Sequence, residues 1–313
     1  MKPPAFTYHR PTDLGEALAV LAETGAEGKV LAGGQSLVPV LNMRLAAPAH
    51  LIDINRLPDL AAVRVGDTAV RVGALVRHAD LERDRPAAGV LPLLGEATRH
   101  VAHPAIRNRG TTVGSLAHGD PAAELPAVLA LLGGHVELAS TAGRRTVPAA
   151  EFFLGPLETA IRPGELAVAA VFPVPAGLVR PGLRGSQAHS SPPAMRTGTA
   201  WLELSRRHGD YALCGVGALV TVDDDLRVTT ARVACCSVGP VPVVVDVTDA
   251  VAGRPGVSAD WTAAGALAAG KVDPDGDIHA TAAYRRHLVG VLTARALRTA
   301  TDAAATAGQE GEV

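Results

Sequence analysis

The chain has 313 residues, with 29 Lys and Arg against 31 Asp and Glu, a formal net charge of −2, 48% hydrophobic residues, and only two Trp, three Tyr and four Phe. That balance excludes a basic nucleic-acid-binding face and a charged tail, and no stretch approaches the roughly 18 uninterrupted apolar residues of a membrane span. The length suits two or three domains of roughly 100–200 residues each, and the opening MKPPAFTYHRP holds no apolar signal segment, so the expectation is a cytoplasmic protein.

The first periodic segment begins at Thr12 or Asp13. Glu16 stands where a capping box needs it, Leu14, Ala17, Leu18 and Leu21 form one helical stripe, and Gly25 ends the pattern. KVLAGGQSLVPVLNMR follows at 29–44. Its apolar run (Val30, Leu31, Ala32) predicts a strand, and Gly33 and Gly34 break it. Leu37, Val38, Leu41 and Leu45 then recur at helical spacing, with Pro39 in the first turn. Strand, paired glycines, the Ser36 hydroxyl and a helix start describe a turn that presents backbone N–H groups to an anion, although an ordinary tight turn has the same order. LIDI at 51–54 predicts a strand completing a βαβ-like unit, and 63–75, with Gly66 and Asp67 between alternating runs, predicts a hairpin. HVAH at 100–103 reads as a polar helix end.

IRNRGTTVGSLAHGDPAAELPAVL at 106–129 repeats the loop pattern. Gly110, Gly114 and Gly119 punctuate the small hydroxyl residues Thr111, Thr112 and Ser115. Asp120 is expected to cap a helix with Pro121 in its first turn, Glu124 one turn inside, and Leu125, Val128, Leu129 and Leu132 as its stripe. Two such loops suggest two walls around a diphosphate, and nearby carboxylates suit ribose hydroxyls. As a cap and a first-turn charge, the same acids need no ligand. HVELAS, RRTVP and AVAAVFPVP predict strands that close this portion near Pro175.

The stretch 176–199 is longer than its connection requires, and loops of that length are functional or disordered. WLELS, YALCGVGALVTV and LRVTTARVACCSV predict three strands, the last two joined across 223–225. Helices are expected at 259–269 and from about 277 to 301. The second has Tyr284, Leu288, Val291, Leu292 and Ala296 as its apolar face and Arg285, Arg286, Arg295 and Arg298 on its exposed side. A three-stranded antiparallel sheet with helices on one side is an α+β domain. DPDGD at 273–277 lacks the spacing and terminal glutamate of a calcium loop and reads as a turn into a helix cap. Cys214, Cys235 and Cys236 form no CxxC pair, and adjacent strand cysteines face opposite ways, so no metal site is expected. HExxH, a GxGxxG opening a βαβ helix, and a nucleophile elbow are all missing. The tail from 303 is expected to be disordered.

AGGQSL at 32–37, RNRGTTVGSLAHGDPAAE at 107–124, LETAIRPGEL at 157–166 and ELSRRHGDYAL at 203–213 carry a resemblance. From about Phe6 to Ala300 the chain is similar to the FAD-binding medium subunits of molybdenum hydroxylases, of the carbon monoxide dehydrogenase and xanthine dehydrogenase type. The implied fold is α+β: a two-part FAD-binding domain of the vanillyl-alcohol oxidase (PCMH) type over 1–175, with subdomains of about 1–58 and 59–175. The connecting loop 176–199 and a C-terminal flavoprotein domain over 200–302 follow. The resemblance implies that Ala32, Gly33, Gly34, Gln35, Ser36 and Leu37 form a first pyrophosphate loop, Thr111, Gly114 and Ser115 a second, and that Asp120 lies near the adenosine half. Trp201 is the nearest candidate for an aromatic residue beside the flavin ring and Tyr211 a second; a half-buried strand residue explains Trp201 as well.

Two features depart from the family. It usually reads GTIGGSL where this chain reads GTTVGSL, so Val113 replaces a glycine, which predicts a strained or rebuilt loop. The stretch 176–199 is the other. Gln35 stands at a position where related flavoproteins of this fold place a flavin-linking histidine, and an amide is no nucleophile, so the implied FAD is non-covalent.

The implied activity is that of an FAD-dependent oxidoreductase: the electron-transfer component of a molybdenum hydroxylase, passing electrons from iron–sulfur clusters through FAD to NAD⁺, O₂ or a quinone. The chain has no ligand set for iron–sulfur or molybdenum centres, so these are expected on partner subunits. The alternative is a stand-alone FAD-dependent oxidase or monooxygenase, monomeric or homodimeric, acting on a small organic substrate. Val113 and the long loop favour it. A scaffold that has lost FAD is a third reading. The flavin carries the chemistry under the first two readings, so no catalytic side chain is assigned.

Overall fold

The computed structural model describes residues 2–179, 195–256 and 260–306. Residues 180–194 of the long connection, the start of the helix expected at 259, and 307–313 of the tail lie outside it.

The first unit comprises β1 (Thr7–His9), α1 (Leu14–Thr24), β2 (Gly28–Leu31), α2 (Leu37–Asn42) and β3 (His50–Asp53). Asp13 caps α1 by accepting the Glu16 N–H at 2.9 Å, while Glu16 reaches back to the Thr12 N–H at 2.8 Å. The two candidate caps therefore share the box. Ala17, Leu18 and Leu21 are its buried stripe, and Gly25, at φ 53°, ends it. The strands pair in parallel in the order β1–β3–β2, with α2 as the crossover between β2 and β3.

The second unit begins with the hairpin β4 (Val63–Val65) and β5 (Ala69–Gly73). Six helices follow: α3 (His78–Arg83), α4 (Arg85–Val90), α5 (Pro92–Thr98), α6 (Pro104–Arg107), α7 (Thr112–His118) and α8 (Glu124–Leu131). The first four were not anticipated, because a helix of four to seven residues is too short to show a repeating stripe. Then come β6 (His135–Ser140), β7 (Gly143–Pro148), α9 (Ala149–Phe152), the small pair β8 (Phe153–Gly155) and β9 (Glu158–Thr159), and β10 (Leu166–Pro173). The five-stranded antiparallel sheet runs β4–β5–β10–β6–β7.

The third unit is an antiparallel sheet of β11 (Met195–Ser205), β12 (Ala212–Asp223), β13 (Val228–Cys236) and β14 (Val243–Asp246), with α10 (Thr248–Val251), α11 (Thr262–Ala269) and α12 (Ala282–Thr306). The fourth strand, short and preceded by Pro240 and Pro242, is additional to the three expected. One face of this sheet packs on α12, where Gly198 lies against the Ala300 carbonyl, and the other packs on α8 through Gly217 and Leu131. Strand alternation sends Cys235 into the core under α12 and Cys236, with Trp201 and Ala234, into the core shared with the first two units.

Helix α12 departs from its expected register. Arg285, assigned to the exposed side, is 7% exposed, whereas Tyr284, assigned to the apolar face, is 44% exposed. The Arg285 guanidinium donates to the Leu213 and Ser237 carbonyls at 2.8 and 3.0 Å and pairs with Asp277 at 2.8 Å. The helix also continues to Thr306, so residues 303–306 are its last turn rather than the start of a disordered tail.

Candidate functional site

The first glycine loop leaves the end of β2 and enters α2. Gly34 lies at φ +75°, where a side chain would be strained and where a Cβ would also stand 3.2 Å from both Leu31 and Val38. Its carbonyl accepts the Val38 N–H at 3.0 Å, and the Gln35 amide donates to the Gly33 carbonyl at 3.1 Å. The backbone N–H groups of Gly34, Gln35, Ser36 and Leu37 have no protein acceptor among the described residues. Gly34 and Gln35 border an open cleft of about 380 Å³, which Ser36 and Leu37 do not line; its walls also include Ala32 and Gly33 from this loop, Asp53 at the end of β3, Asn55 just beyond it, and Ile106 and Arg109 from the second loop.

The second loop is held against the first at one point. A Cβ on Gly33 would overlap the Arg109 carbonyl oxygen and lie 2.7 Å from the Gly110 Cα. Gly110 in turn packs on the buried ring of His78. Thr111 then caps α7, its Oγ1 accepting the Gly114 N–H at 3.1 Å. Thr111, Gly114 and Ser115 are thus the first turns of a helix that begins just past the loop contact. Val113 occupies that helix at 2% exposure and joins the main core; it is not among the residues with positive φ. The strain expected from replacing a glycine does not arise, because the helical backbone at this position accepts a β-branched side chain.

Asp120 does not cap the following helix. Its carboxylate accepts the Ala122 N–H at 2.8 Å in a local turn, and α8 begins at Glu124 with Ala123 as its cap residue. The DPAA turn instead contacts the third unit, with the Pro121 carbonyl accepting the Ser237 N–H at 2.8 Å. Asp120 and Trp201 do not line the cleft. Trp201 is 5% exposed and buried between units, its indole N–H directed to Glu203 at 3.3 Å. Tyr211 is 74% exposed.

These residues suit a diphosphate. The loop contact leaves no room for a side chain at Gly33, the cleft-lining Gly34 and Gln35 have N–H groups with no protein acceptor among the described residues, and the cleft-lining Arg109 guanidinium has no carboxylate partner among them either. Asn55, Arg77 and Arg109, which build this corner, were missed as site residues. Arg109 lay inside a quoted motif, whereas Asn55 and Arg77 had no local signal.

Glu124 is 7% exposed and faces Glu203 across the boundary between the second and third units. Burial, and for Glu124 also the neighbouring Glu203 charge, raises both carboxyls well above the usual range. A folded-state pKa above the unfolded value means that the folded protein holds its proton more tightly. The resulting stability is fully present below the unfolded pKa near 4.5 and is lost as pH rises through the folded value. The melting temperature is therefore expected to fall between about pH 5 and pH 8.5, and Glu124→Gln to flatten that fall by several degrees. Parallel wild-type and variant pH profiles would refute a raised Glu124 carboxyl at this boundary.

The model of the FAD binding domain in molybdopterin dehydrogenase matches residues 4–175, and that of the CO dehydrogenase flavoprotein C-terminal domain matches residues 199–300. The chain is 39% identical over 301 residues to the 6-hydroxypseudooxynicotine dehydrogenase complex subunit alpha of Paenarthrobacter nicotinovorans, covering 96% of each. It is 38% identical to the caffeine dehydrogenase subunit beta of a Pseudomonas strain, covering 96% of this chain and 97% of the relative. Among solved structures, a chain of carbon monoxide dehydrogenase from Hydrogenophaga pseudoflava superposes with a TM-score of 0.86 at 35% identity, over 97% of this chain and all of that one.

Proposed function

The chain belongs to the FAD-binding flavoproteins of molybdopterin dehydrogenases, and we propose that it is the electron-transfer subunit of a molybdenum hydroxylase, with FAD held non-covalently across the glycine-loop cleft. The observation that carries the assignment of the site is the meeting of the two loops at Gly33 and Gly110, beside N–H groups with no acceptor, and an arginine with no carboxylate partner, among the described residues. Ala32, Gly33, Gly34, Gln35, Ser36 and Leu37 hold the diphosphate from one side. Thr111, Gly114 and Ser115 approach from the other, and Asp120 takes a ribose hydroxyl.

FAD would supply one- and two-electron redox chemistry when bound; the chain's own residues bind it, orient it and control access. Gln35 supports a non-covalent cofactor, since its amide is already engaged by the Gly33 carbonyl. The three cysteines are buried, and desolvation pushes their thiols up, Cys235 to about 12, so none is a ready thiolate ligand. Iron–sulfur and molybdenum centres, in this reading, sit on partner subunits; the relatives are themselves named as subunits, one of them of a complex. The final acceptor is NAD⁺, O₂ or a quinone. No described helix is long and apolar enough to cross a membrane, in keeping with a cytoplasmic assignment. We divide the chain into the FAD-binding domain 1–175, the connection 176–199 and the C-terminal domain from 200. Val113, seated in a helix, no longer favours a stand-alone oxidase.

The test is an absorption spectrum of the purified chain followed by anaerobic titration with NADH. The expected result is a flavin spectrum released by acid and bleached by NADH. Flavin that stays attached after acid would overturn the non-covalent site. Protein that neither carries nor takes up FAD would overturn the reading altogether.

A further inference from the structure

Arg77 precedes α3 and has its backbone bridged to Thr111. Its guanidinium donates to the Arg109 carbonyl at 2.5 Å and to the Asn55 side-chain oxygen at 2.6 Å. The Asn55 amide in turn donates to the Ala32 carbonyl at 2.8 Å and to Asp53 at 2.6 Å, and Tyr8 donates to the other Asp53 oxygen at 2.5 Å. A continuous polar chain thus runs from the peptide just before Gly33 to the peptide just before Gly110. Those are the two glycines at which the loops touch.

We propose that Asn55 and Arg77 are positioning residues that set the spacing of the two loops for the diphosphate of a flavin dinucleotide, an inference that rests on the FAD site proposed above. Both loop carbonyls are held by one planar fork and one amide, so neither peptide rotates independently. Trans geometry then fixes the direction of the Gly33 N–H as well. The charge arrangement points to an anion. Arg77 is partly desolvated beside the like charge of Arg109, and both effects disfavour its cation, with Asp53 and Asp80 the opposing charges nearby. A neutral tether would hold two carbonyls without that repulsion. Arg109, which lines the cleft, and Arg77, which holds the Arg109 carbonyl behind it, are relieved when a dianion enters.

The experiment uses the full chain stripped of flavin, with FAD as the probe, and follows both affinity by flavin fluorescence and the melting temperature of the flavin-free protein. Arg77→Met and Asn55→Ala are each expected to weaken FAD binding about tenfold or more. The flavin-free melting temperature should stay within about 2 °C of wild type or rise, because repulsion between arginines is removed. The double variant should be little worse than the weaker single one, since both break the same chain. Arg77→Lys should recover only part of the loss, because an ammonium lacks the planar fork. Unchanged FAD affinity in the variants would overturn the inference, as would a loss of affinity accompanied by a matching fall in flavin-free stability. Wild-type protein that binds no FAD would instead overturn the proposed function.

Discussion

Gly33→Ala is expected to cut the flavin retained by the purified chain at least tenfold. The added methyl would overlap the Arg109 carbonyl and crowd the Gly110 Cα at 2.7 Å, both backbone atoms that no rotamer change can move aside. Overpacking of this kind costs about 1–3 kcal/mol. Here the relief is to part the two loops, so the cost falls on the diphosphate site rather than on the core. Gly34→Val should act in the same direction for a different reason: its φ of +75° excludes a β-branched residue, and its methyls meet Leu31 and Val38. Flavin absorbance per mole of protein measures both variants, with far-ultraviolet circular dichroism to show that the fold is kept. Wild-type flavin content in both would mean that the diphosphate is bound elsewhere.

The largest stability effect is expected at Arg285, far from the cleft. Arg285→Ala removes a 7%-exposed guanidinium that serves the Leu213 and Ser237 carbonyls and ties the turn before α12 through Asp277. The Asp277 end is half exposed, so its ion pair contributes little. The two stranded carbonyls and the vacated volume dominate. Stranding buried carbonyls costs about 1–3 kcal/mol each, and the two together lower the melting temperature by on the order of 10 °C. Calorimetry of the variant measures this. A fall of only one or two degrees would mean that water replaces the guanidinium at both carbonyls.

Where the sequence was legible, the signals were local. Asp13, Glu16 and Gly25 bound α1 because caps act over three or four residues. The paired glycines marked a strand-to-helix turn that the structure contains, and strand alternation separated Cys235 from Cys236. The quoted motifs were specific enough to identify the family, since they span both loops and both domain models. The register of α12 was not legible. The helix is rich in alanine, so its stripe has little contrast, and an arginine reads as surface unless its distant acceptors are known.

Amino-acid order alone determined the family, the cofactor class, the caps of α1 and the positions of the two glycine loops, because each depends on chemistry within a few residues. Tertiary structure decided the rest. It seated Val113 in a helix, turned Trp201 into the boundary between units and added the fourth strand of the C-terminal sheet. It also joined the two loops through Asn55 and Arg77, residues 22 apart, and through Arg77 and Arg109, 32 apart. The physical reason is the same in each case. Burial and the pairing of polar groups are set by neighbours that only the folded chain brings together.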